Sequence, residues 1–258
     1  AQTAAALVIC GLQKRLLSSI EAFASTLRVH KRAFDTKLSK ADAGGGSGAA
    51  AAPERVGGAV HSSLRLLVET PDADDERGDA GEEAVSQEEA AAMEVATARS
   101  AGASPADAYA RERELLERMT NLAEAARGRP DARVAHLISW FKKNPRRVLI
   151  FTEYADTKRY LERQLRAALT PGRESDPLIA TFHGGMPDDA REDVKRAFNA
   201  DPAKHPLRVL IATDAAREGV NLQNHCADLF HFDVPWNPSR LEQRNGRIDR
   251  KLQRAEEV

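Results

Sequence analysis

The sequence predicts an α/β fold for its C-terminal half, a three-layer sandwich around a mostly parallel sheet. Short apolar runs of strand length recur from residue 147 onward, beginning with "RVLIF" at 147–151. Amphipathic stretches of helix length separate these runs. Strands that alternate with helices are joined by right-handed crossovers, which place the strands in parallel and the helices on both faces. In such folds ligands bind at the carboxyl ends of the strands.

Four strands and four helices are predicted in this half. Near-continuous apolar character is typical of strands that are covered on both faces, and it occurs at 147–151, 178–182, 208–213 and 228–234. Helical periodicity occurs at 131–144, 155–169 and 187–199, and a last helix begins near Pro238. We therefore expect an α/β domain over residues 131–258.

The first 40 residues predict an N-terminal helical segment. Its apolar residues recur at spacings of three and four over one amphipathic helix at 12–34, namely Leu12, Leu16, Ile20, Phe23 and Leu27. Residues 41–104 are rich in Gly, Ala and acidic residues and poor in large apolar side chains, which predicts a mostly disordered linker. Residues 105–130 predict a further helix with an apolar stripe of Leu115, Leu116, Met119, Leu122 and Ala126.

Composition excludes several classes of function. The formal net charge of the 258 residues is -1, so contact with nucleic acid requires a local basic patch. The two cysteines lie far apart without CxxC spacing, and His225 and His231 have no carboxylate or cysteine at ligand spacing, so no metal site is predicted. The longest apolar run is too short to cross a bilayer. These features favour a cytoplasmic protein without a membrane partner.

Four short stretches lie just beyond the predicted strands, where a ligand would bind. The first is "TEY" at 152–154, and the second is "HGGM" at 183–186. In "HGGM", Gly184 and Gly185 fit a tight turn that needs positive φ, or a loop that a phosphate backbone approaches closely. The residues alone leave both interpretations open.

The third stretch is "TDAAREGVNLQ" at 213–223. Thr213 or Asp214 fits the capping position of a helix, with Gly219 ending the turn. The same hydroxyl, carboxylate and exposed amides can hold a phosphate or pass a signal to a nucleotide site. Asn221 is placed to reach a ribose hydroxyl. Both interpretations stay open for this stretch as well.

The fourth stretch is "VPWNPSRLEQRNGRIDR" at 234–250. One interpretation is a solvated helical face. On a continuous helix, however, Arg244, Arg247 and Arg250 would project together, and such repulsion favours a bound anion. Guanidinium groups suit the oxygens of a triphosphate, and Gly246 within a helix indicates a close approach to the backbone. Trp236 lies in a rigid "PWNP" loop and serves either packing or a partner lobe.

Taken in this order, the four stretches resemble the second RecA-like lobe of superfamily 2 helicases and translocases. "FDVPWNPSRLEQRNGRIDR" is most similar to bacterial Swi/Snf-type ATPases of the RapA-like group, with an aspartate, an aromatic, "NP" and a "QR.GR..R" block. The resemblance covers residues 130–254, and the "LQKR" helix is similar to the segment that leads into this lobe. The "KLQ" after Arg250 departs from the eukaryotic pattern.

The resemblance implies a role for each matching residue. Arg247 and Arg250 would be arginine fingers, and Gln243 would contact the γ-phosphate. The residues beside the nucleotide would be Glu218, Gly219, Asn221 and Arg244, the last of them the more structural, inter-lobe member. Thr213 and Asp214 would couple the nucleotide to the nucleic-acid groove. That groove would be lined by Thr152, His183, Gly184 and Gly185 without reading of bases.

The implied cofactors are ATP and Mg²⁺, and the implied partner is DNA, with RNA as the alternative. The sequence contains no "GxxxxGK[ST]" phosphate loop and no DExx box, so we expect an N-terminal RecA-like lobe to hold both cofactors and this chain alone to be inactive. A chain that begins at Ala1 without methionine fits a piece of a longer protein. The alternative function is a non-catalytic nucleic-acid or protein interaction module of the same fold.

Overall fold

The chain folds into two compact units. The computed structural model describes residues 2–43, 67, 81–100, 106–173, 175–214 and 221–249. The first unit comprises residues 1–70 and 84–128, and the second comprises residues 71–83 and 129–258.

The first unit is helical. Its elements are α1 (Gln2–Ser18), α2 (Ile20–Ala43), most of α3 (Glu82–Ser100) and α4 (Ala106–Arg127). Helix α2 packs against both α1 and α4. The buried core has contributions from all four helices and includes Leu12, Phe23, Leu27, Phe34, Met93 and Leu116.

The prediction of a single helix at 12–34 is wrong in one respect, because α1 ends before Ser19 and α2 begins after it. The Ser19 hydroxyl accepts a hydrogen bond of 3.1 Å from the Ala22 N–H and so caps the start of α2. Leu16, which we expected on the buried stripe, is exposed. Helical periodicity in the sequence does not by itself show where a capping residue interrupts the helix.

The structure also differs from the prediction of a disordered linker at 41–104, because α3 lies inside that range. Ala92, Met93 and Ala96 are fully buried in the core of the first unit. Small side chains let helices approach closely, so this helix is held with few large apolar residues. Apart from 41–43, 67 and 81–100, this range lies outside the described residues.

Helix α4 has the bounds expected from the sequence, but its apolar stripe is not the buried face. Leu116 and Ala123 are buried, whereas Leu115, Met119 and Leu122 are exposed. The buried face is therefore rotated relative to the one that the spacing of leucines indicated.

The second unit contains the α/β domain. Its elements in chain order are α5 (Ala132–Lys143), β1 (Arg147–Thr152), α6 (Ala155–Leu169), β2 (Ile179–Phe182), α7 (Asp188–Asn199), β3 (Val209–Thr213), β4 (Cys226–His231) and α8 (Pro238–Asn245). The strands pair in the order β2-β3-β1-β4, and every pairing is parallel. The predicted α/β fold with a parallel sheet is confirmed.

Alternate residues of the strands pack into separate cores on the two faces of the sheet. Val148 and Ile150 of β1 face a core that contains Tyr160 and Leu161 of α6. Leu149 and Phe151 face the opposite core, which also contains Phe198, Leu222 and Ile248. The buried, parallel sheet directs the carboxyl ends of all four strands to one edge.

Candidate functional site

The carboxyl ends of β1 and β3 lie side by side at this edge. Thr152 and Thr213 are the last residues of the two strands and are direct partners in the sheet register. Asp214 follows β3 at once, and Asp233 lies two residues beyond the end of β4. The topology therefore brings together residues from two of the four stretches singled out in the sequence, and Asp233 directly precedes the fourth.

Arg244 of α8 connects these strand ends. Its Nε and Nη2 atoms donate to the two carboxylate oxygens of Asp214 at 2.5 and 2.6 Å. Its Nη1 atom donates to the main-chain oxygen of Asp233 at 2.6 Å, and Nη2 lies 3.5 Å from Asp233 Oδ1. The Arg244 side chain is 2% exposed, so this fork is almost completely removed from solvent. A buried two-pronged pair of this kind fixes both position and orientation.

Asp233 makes a second set of contacts on its other side. Its Oδ2 accepts a hydrogen bond of 2.6 Å from the Thr152 hydroxyl, and its Oδ1 accepts one of 2.8 Å from the Glu153 N–H. One buried carboxylate thus joins the end of β1 to the residue that binds α8. Asp233 was not among the residues assigned a role from the sequence. The available signal was the aspartate in "FDVPWNP", which carried part of the resemblance.

The positive charge of Arg244 lies between the negative charges of Asp214 and Asp233. Burial by itself lowers the pKa of Arg244, but the hydrogen bond to Asp214 and the negative charges of Asp214, Asp233 and Glu153 outweigh it and raise that pKa. The guanidinium group therefore stays charged in the interior. His231, whose Nε2 lies 2.9 Å from Asn245 Oδ1, has its pKa lowered chiefly by burial.

The arginine segment does not form the continuous helix that the sequence suggested. Helix α8 ends at Asn245, and Gly246 takes the capping position with φ −61°, a value open to any residue. A Cβ added at Gly246 would lie 3.3 Å from the Glu242 carbonyl oxygen. Arg244 points into the domain, so Arg244 and Arg247 do not share one exposed face; Arg247 is 9% exposed. Arg250 lies outside the described residues.

Arg247 is attached to the "TDAAREGVNLQ" stretch through the main chain. The Leu222 N–H donates to the Arg247 carbonyl oxygen at 3.1 Å. Asn221, directly before Leu222, accepts from the Gln223 N–H through its side chain at 3.1 Å. Glu218 and Gly219 lie outside the described residues, and Gln243 is half-buried on α8. Asn221, which is expected beside the nucleotide, is therefore close to the arginine segment.

The "HGGM" loop follows β2 at the same edge. Gly185 has φ 72°, as a tight turn requires, and His183 Nδ1 lies 2.8 Å from the Gly184 carbonyl oxygen. Glu82, which belongs to the second unit, lies 3.7 Å from His183 Nδ1 and forms an ion pair of 2.7 Å with Lys158. A carboxylate therefore stands beside the histidine expected in the nucleic-acid groove.

The two threonines at the edge are buried rather than available to a ligand. Thr152 has no exposed surface, so the expectation that it lines the groove by direct contact is corrected. Its hydroxyl is used by Asp233. Thr213 is also buried, and its hydroxyl has no hydrogen-bond partner among the described residues.

Exposed apolar residues follow β4 in the same region. Val234 and Trp236 are 66% and 70% exposed, and they lie between Asp233 and the start of α8. Asn237 caps α8 by accepting from the Ser239 N–H at 3.0 Å, and Pro238 occupies the first turn. The "PWNP" loop thus presents Trp236 outward and not as a core residue.

Comparison with known proteins bears on this domain. Residues 131–251 match the family described as "Helicase conserved C-terminal domain". This stretch is therefore similar to the C-terminal domain of helicases. The lobe coincides with the α/β domain of the second unit, and its RecA-like fold agrees with the parallel sheet described above.

Several curated relatives share this lobe. The chain is 38% identical over 120 residues to "Uncharacterized ATP-dependent helicase YqhH" of Bacillus subtilis, a match that covers 46% of this chain and 19% of that protein. It is 35% identical over 122 residues to "RNA polymerase-associated protein RapA" of Vibrio cholerae, covering 46% of this chain and 12% of RapA. RapA of Pectobacterium carotovorum is 34% identical over 129 residues, covering 50% and 12%.

The chain therefore spans less than a fifth of the length of these relatives. No solved structure matches the chain. Among the described residues, no helix combines the length and apolar character needed to cross a membrane.

The lobe does not by itself fit a magnesium nucleotide. The carboxylate of Asp214 is already bound to Arg244, and that of Asp233 is bound to Thr152. A phosphate loop is absent from the sequence. Arg247, which the sequence predicts to meet a nucleotide, carries a positive charge and offers no ligand to Mg²⁺.

Proposed function

We propose that this chain is the C-terminal motor lobe of an ATP-dependent nucleic-acid helicase or translocase of the Swi/Snf type. The observation that carries the proposal is the bond between the Leu222 N–H and the Arg247 carbonyl oxygen, which holds the arginine segment against the stretch expected beside the nucleotide. The similarity to an ATP-dependent helicase of Bacillus subtilis and to RapA proteins supports the same assignment.

The work of this lobe is to complete a site whose phosphate loop and Mg²⁺ ligands belong to a first RecA-like lobe. The chemistry that bound Mg·ATP supplies is transfer of its terminal phosphoryl group to water. Arg247 and Arg250 neutralise the charge that develops on the departing phosphoryl oxygens, and Gln243 donates to the γ-phosphate. Because Arg247 is 9% exposed, its contribution includes a change of rotamer when the two lobes close.

The nucleic-acid side of the proposal rests on the same edge of the sheet. The loop of His183, Gly184 and Gly185 lies beyond β2 and binds backbone phosphates, so binding is salt-dependent and tolerant of sequence. Asp214 couples this side to the arginine segment through Arg244. Thr213 takes part as the residue before Asp214 and as the sheet partner of Thr152. DNA is the proposed strand, RNA the alternative, and the cytoplasm the proposed location.

The test uses the protein with its first lobe. Arg247→Ala and Arg250→Ala are each expected to lower nucleic-acid-stimulated ATP turnover by about 10³-fold or more, with nucleic-acid affinity retained, because an arginine finger acts on the transition state. Arg196→Ala removes an arginine of α7 that is 78% exposed and is the matched control. Near-normal turnover in both variants overturns the finger assignment. An unmodified protein without ATP turnover favours the non-catalytic interaction module.

A further inference from the structure

We propose that Asp233 is a positioning residue that links the loop after β1 to the arginine segment. The inference rests on the proposed function and adds to it a residue for which neither the sequence motifs nor the relatives give a role. Asp233 does not touch the nucleotide. It acts through Thr152 and Glu153 on one side and through Arg244 on the other.

The contacts of Asp233 point in two directions. Its two carboxylate oxygens hold the Thr152 hydroxyl at 2.6 Å and the Glu153 N–H at 2.8 Å, which fixes the first residues of the loop between β1 and α6. Its main-chain oxygen accepts from Arg244 at 2.6 Å. A shift of the loop after β1 therefore moves the same residue that holds the guanidinium group of α8.

Arg244 passes this position on to the rest of the arginine segment. The Arg247 N–H donates to the Arg244 carbonyl oxygen at 3.1 Å, so the turn that carries Arg247 starts from Arg244. Ile248, one residue further, is fully buried in the core on this face of the sheet. The turn is short and is held at both ends, so a displacement of Arg244 also displaces Arg247.

The negative charge of Asp233 is as important as its shape. Arg244 is shared between two carboxylates, with Asp214 in direct contact and Asp233 Oδ1 at 3.5 Å. All three side chains are more than nine-tenths buried. In such surroundings a change of one charge alters the balance between the two carboxylates far more than it would at the surface. Asp233→Asn keeps the size and an oxygen acceptor for the Glu153 N–H while it removes that charge.

The experiment is a double-mutant cycle in the protein with its first lobe. Asp233→Asn and Thr152→Val are each expected to lower nucleic-acid-stimulated ATP turnover at least 5-fold. Because both variants break the same connection between Thr152 and Asp233, the double variant is expected to match the more affected single variant. Thr152→Ser keeps the hydroxyl and is expected to retain stimulation.

Asp228→Asn is the matched control. It makes the same substitution in β4, at a residue paired with Arg146 at 3.3 Å at the opposite end of the strand. Melting temperatures show whether a variant has lost stability. If the two substitutions act independently, their effects on turnover multiply in the double variant. If Asp233→Asn does not fold, the comparison of Thr152→Val with Thr152→Ser still decides.

Three outcomes overturn the inference. These are normal stimulation in Thr152→Val, normal stimulation in Asp233→Asn, and effects of the two substitutions that multiply in the double variant. A failure of the proposed function looks different, because the unmodified protein then shows no stimulated turnover at all.

Discussion

Arg244 donates two hydrogen bonds to the carboxylate of Asp214, from Nε to Oδ1 at 2.5 Å and from Nη2 to Oδ2 at 2.6 Å. The two residues are 30 positions apart in the chain. Their side chains are 2% and 8% exposed, so the pair is desolvated on both sides. The pair connects the carboxyl end of β3 to α8 within the candidate site.

Arg244→Lys tests how much of this contact depends on the fork. Lysine keeps the charge but cannot donate to both Asp214 oxygens and to Asp233 at once, so the free energy of unfolding is expected to fall by about 2–3 kcal/mol. Arg244→Met leaves buried carboxylates without a cation and is expected to cost about 3–5 kcal/mol. Urea denaturation followed by the fluorescence of Trp140, which packs edge-on against Phe230, measures both values. Equal stability of the lysine and unmodified proteins would contradict this account.

Arg147→Met tests a second buried arginine, at the opposite edge of the sheet. The Arg147 guanidinium donates to the carbonyl oxygens of Phe198 at 2.6 Å, Leu207 at 2.9 Å and His205 at 3.2 Å, and also to that of Ala200. These acceptors include the C-terminal end of α7, where a positive charge is favourable. Methionine leaves them without a donor, so a loss of about 2–4 kcal/mol in the same denaturation assay is expected.

Arg146→Met is the control for that experiment. Arg146 adjoins Arg147 in the chain, but its side chain is 62% exposed, and it forms an ion pair of 3.3 Å with the partly buried Asp228. A pair whose arginine is mostly in solvent contributes little, so a change of about 1 kcal/mol or less is expected. Similar losses in both variants would show that burial is not the cause.

Local patterns were sufficient for much of the fold. Helix α6 has the bounds that its periodicity predicted, and the four strands lie within two or three residues of the apolar runs. These elements follow from contacts between near neighbours, which the spacing of apolar residues records. Helix α3 was missed because its buried face consists of two alanines, one methionine and one threonine, and such a face looks the same as a polar linker in composition.

The candidate site was predictable in its location but not in its connections. Because the strands are parallel, the motifs that follow them necessarily meet at one edge. The partners of Arg244 are tertiary neighbours from two different strands, and no spacing along the chain encodes them. For the same reason the sequence treated Arg244 and Arg247 as one exposed row, whereas the end of α8 at Asn245 separates them.

Acidification tests the packing of the first unit through His30. Burial lowers the pKa of His30, whose Nδ1 lies 2.7 Å from the Thr97 hydroxyl oxygen. Since the Thr97 hydroxyl donates its hydrogen to the Met93 carbonyl oxygen, the neutral histidine carries its proton on Nδ1. The unfolded chain then binds a proton more readily than the folded one, so stability falls as pH drops below about 6.5.

The measurement is calorimetric melting at pH 7.5 and pH 5.5 for the unmodified chain and for His30→Gln. Glutamine retains an N–H donor for Thr97 but does not titrate, so the drop in melting temperature between the two pH values is expected to be smaller in the variant. An equal drop in both proteins would remove His30 as a cause.

Cys226 is expected to resist alkylation in the folded protein, in contrast to Cys10. The Cys226 thiol is 1% exposed, and burial raises its pKa to about 12, so hardly any thiolate is present at pH 8. Cys10 is only partly buried. Treatment with iodoacetamide at pH 8, followed by peptide mass spectrometry, is expected to label Cys10 in the native chain and Cys226 only after unfolding in urea. Cys10→Ser is the control, because it leaves a native chain with no rapid labelling; labelling of Cys226 at the rate of Cys10 would show that this face of the sheet opens readily.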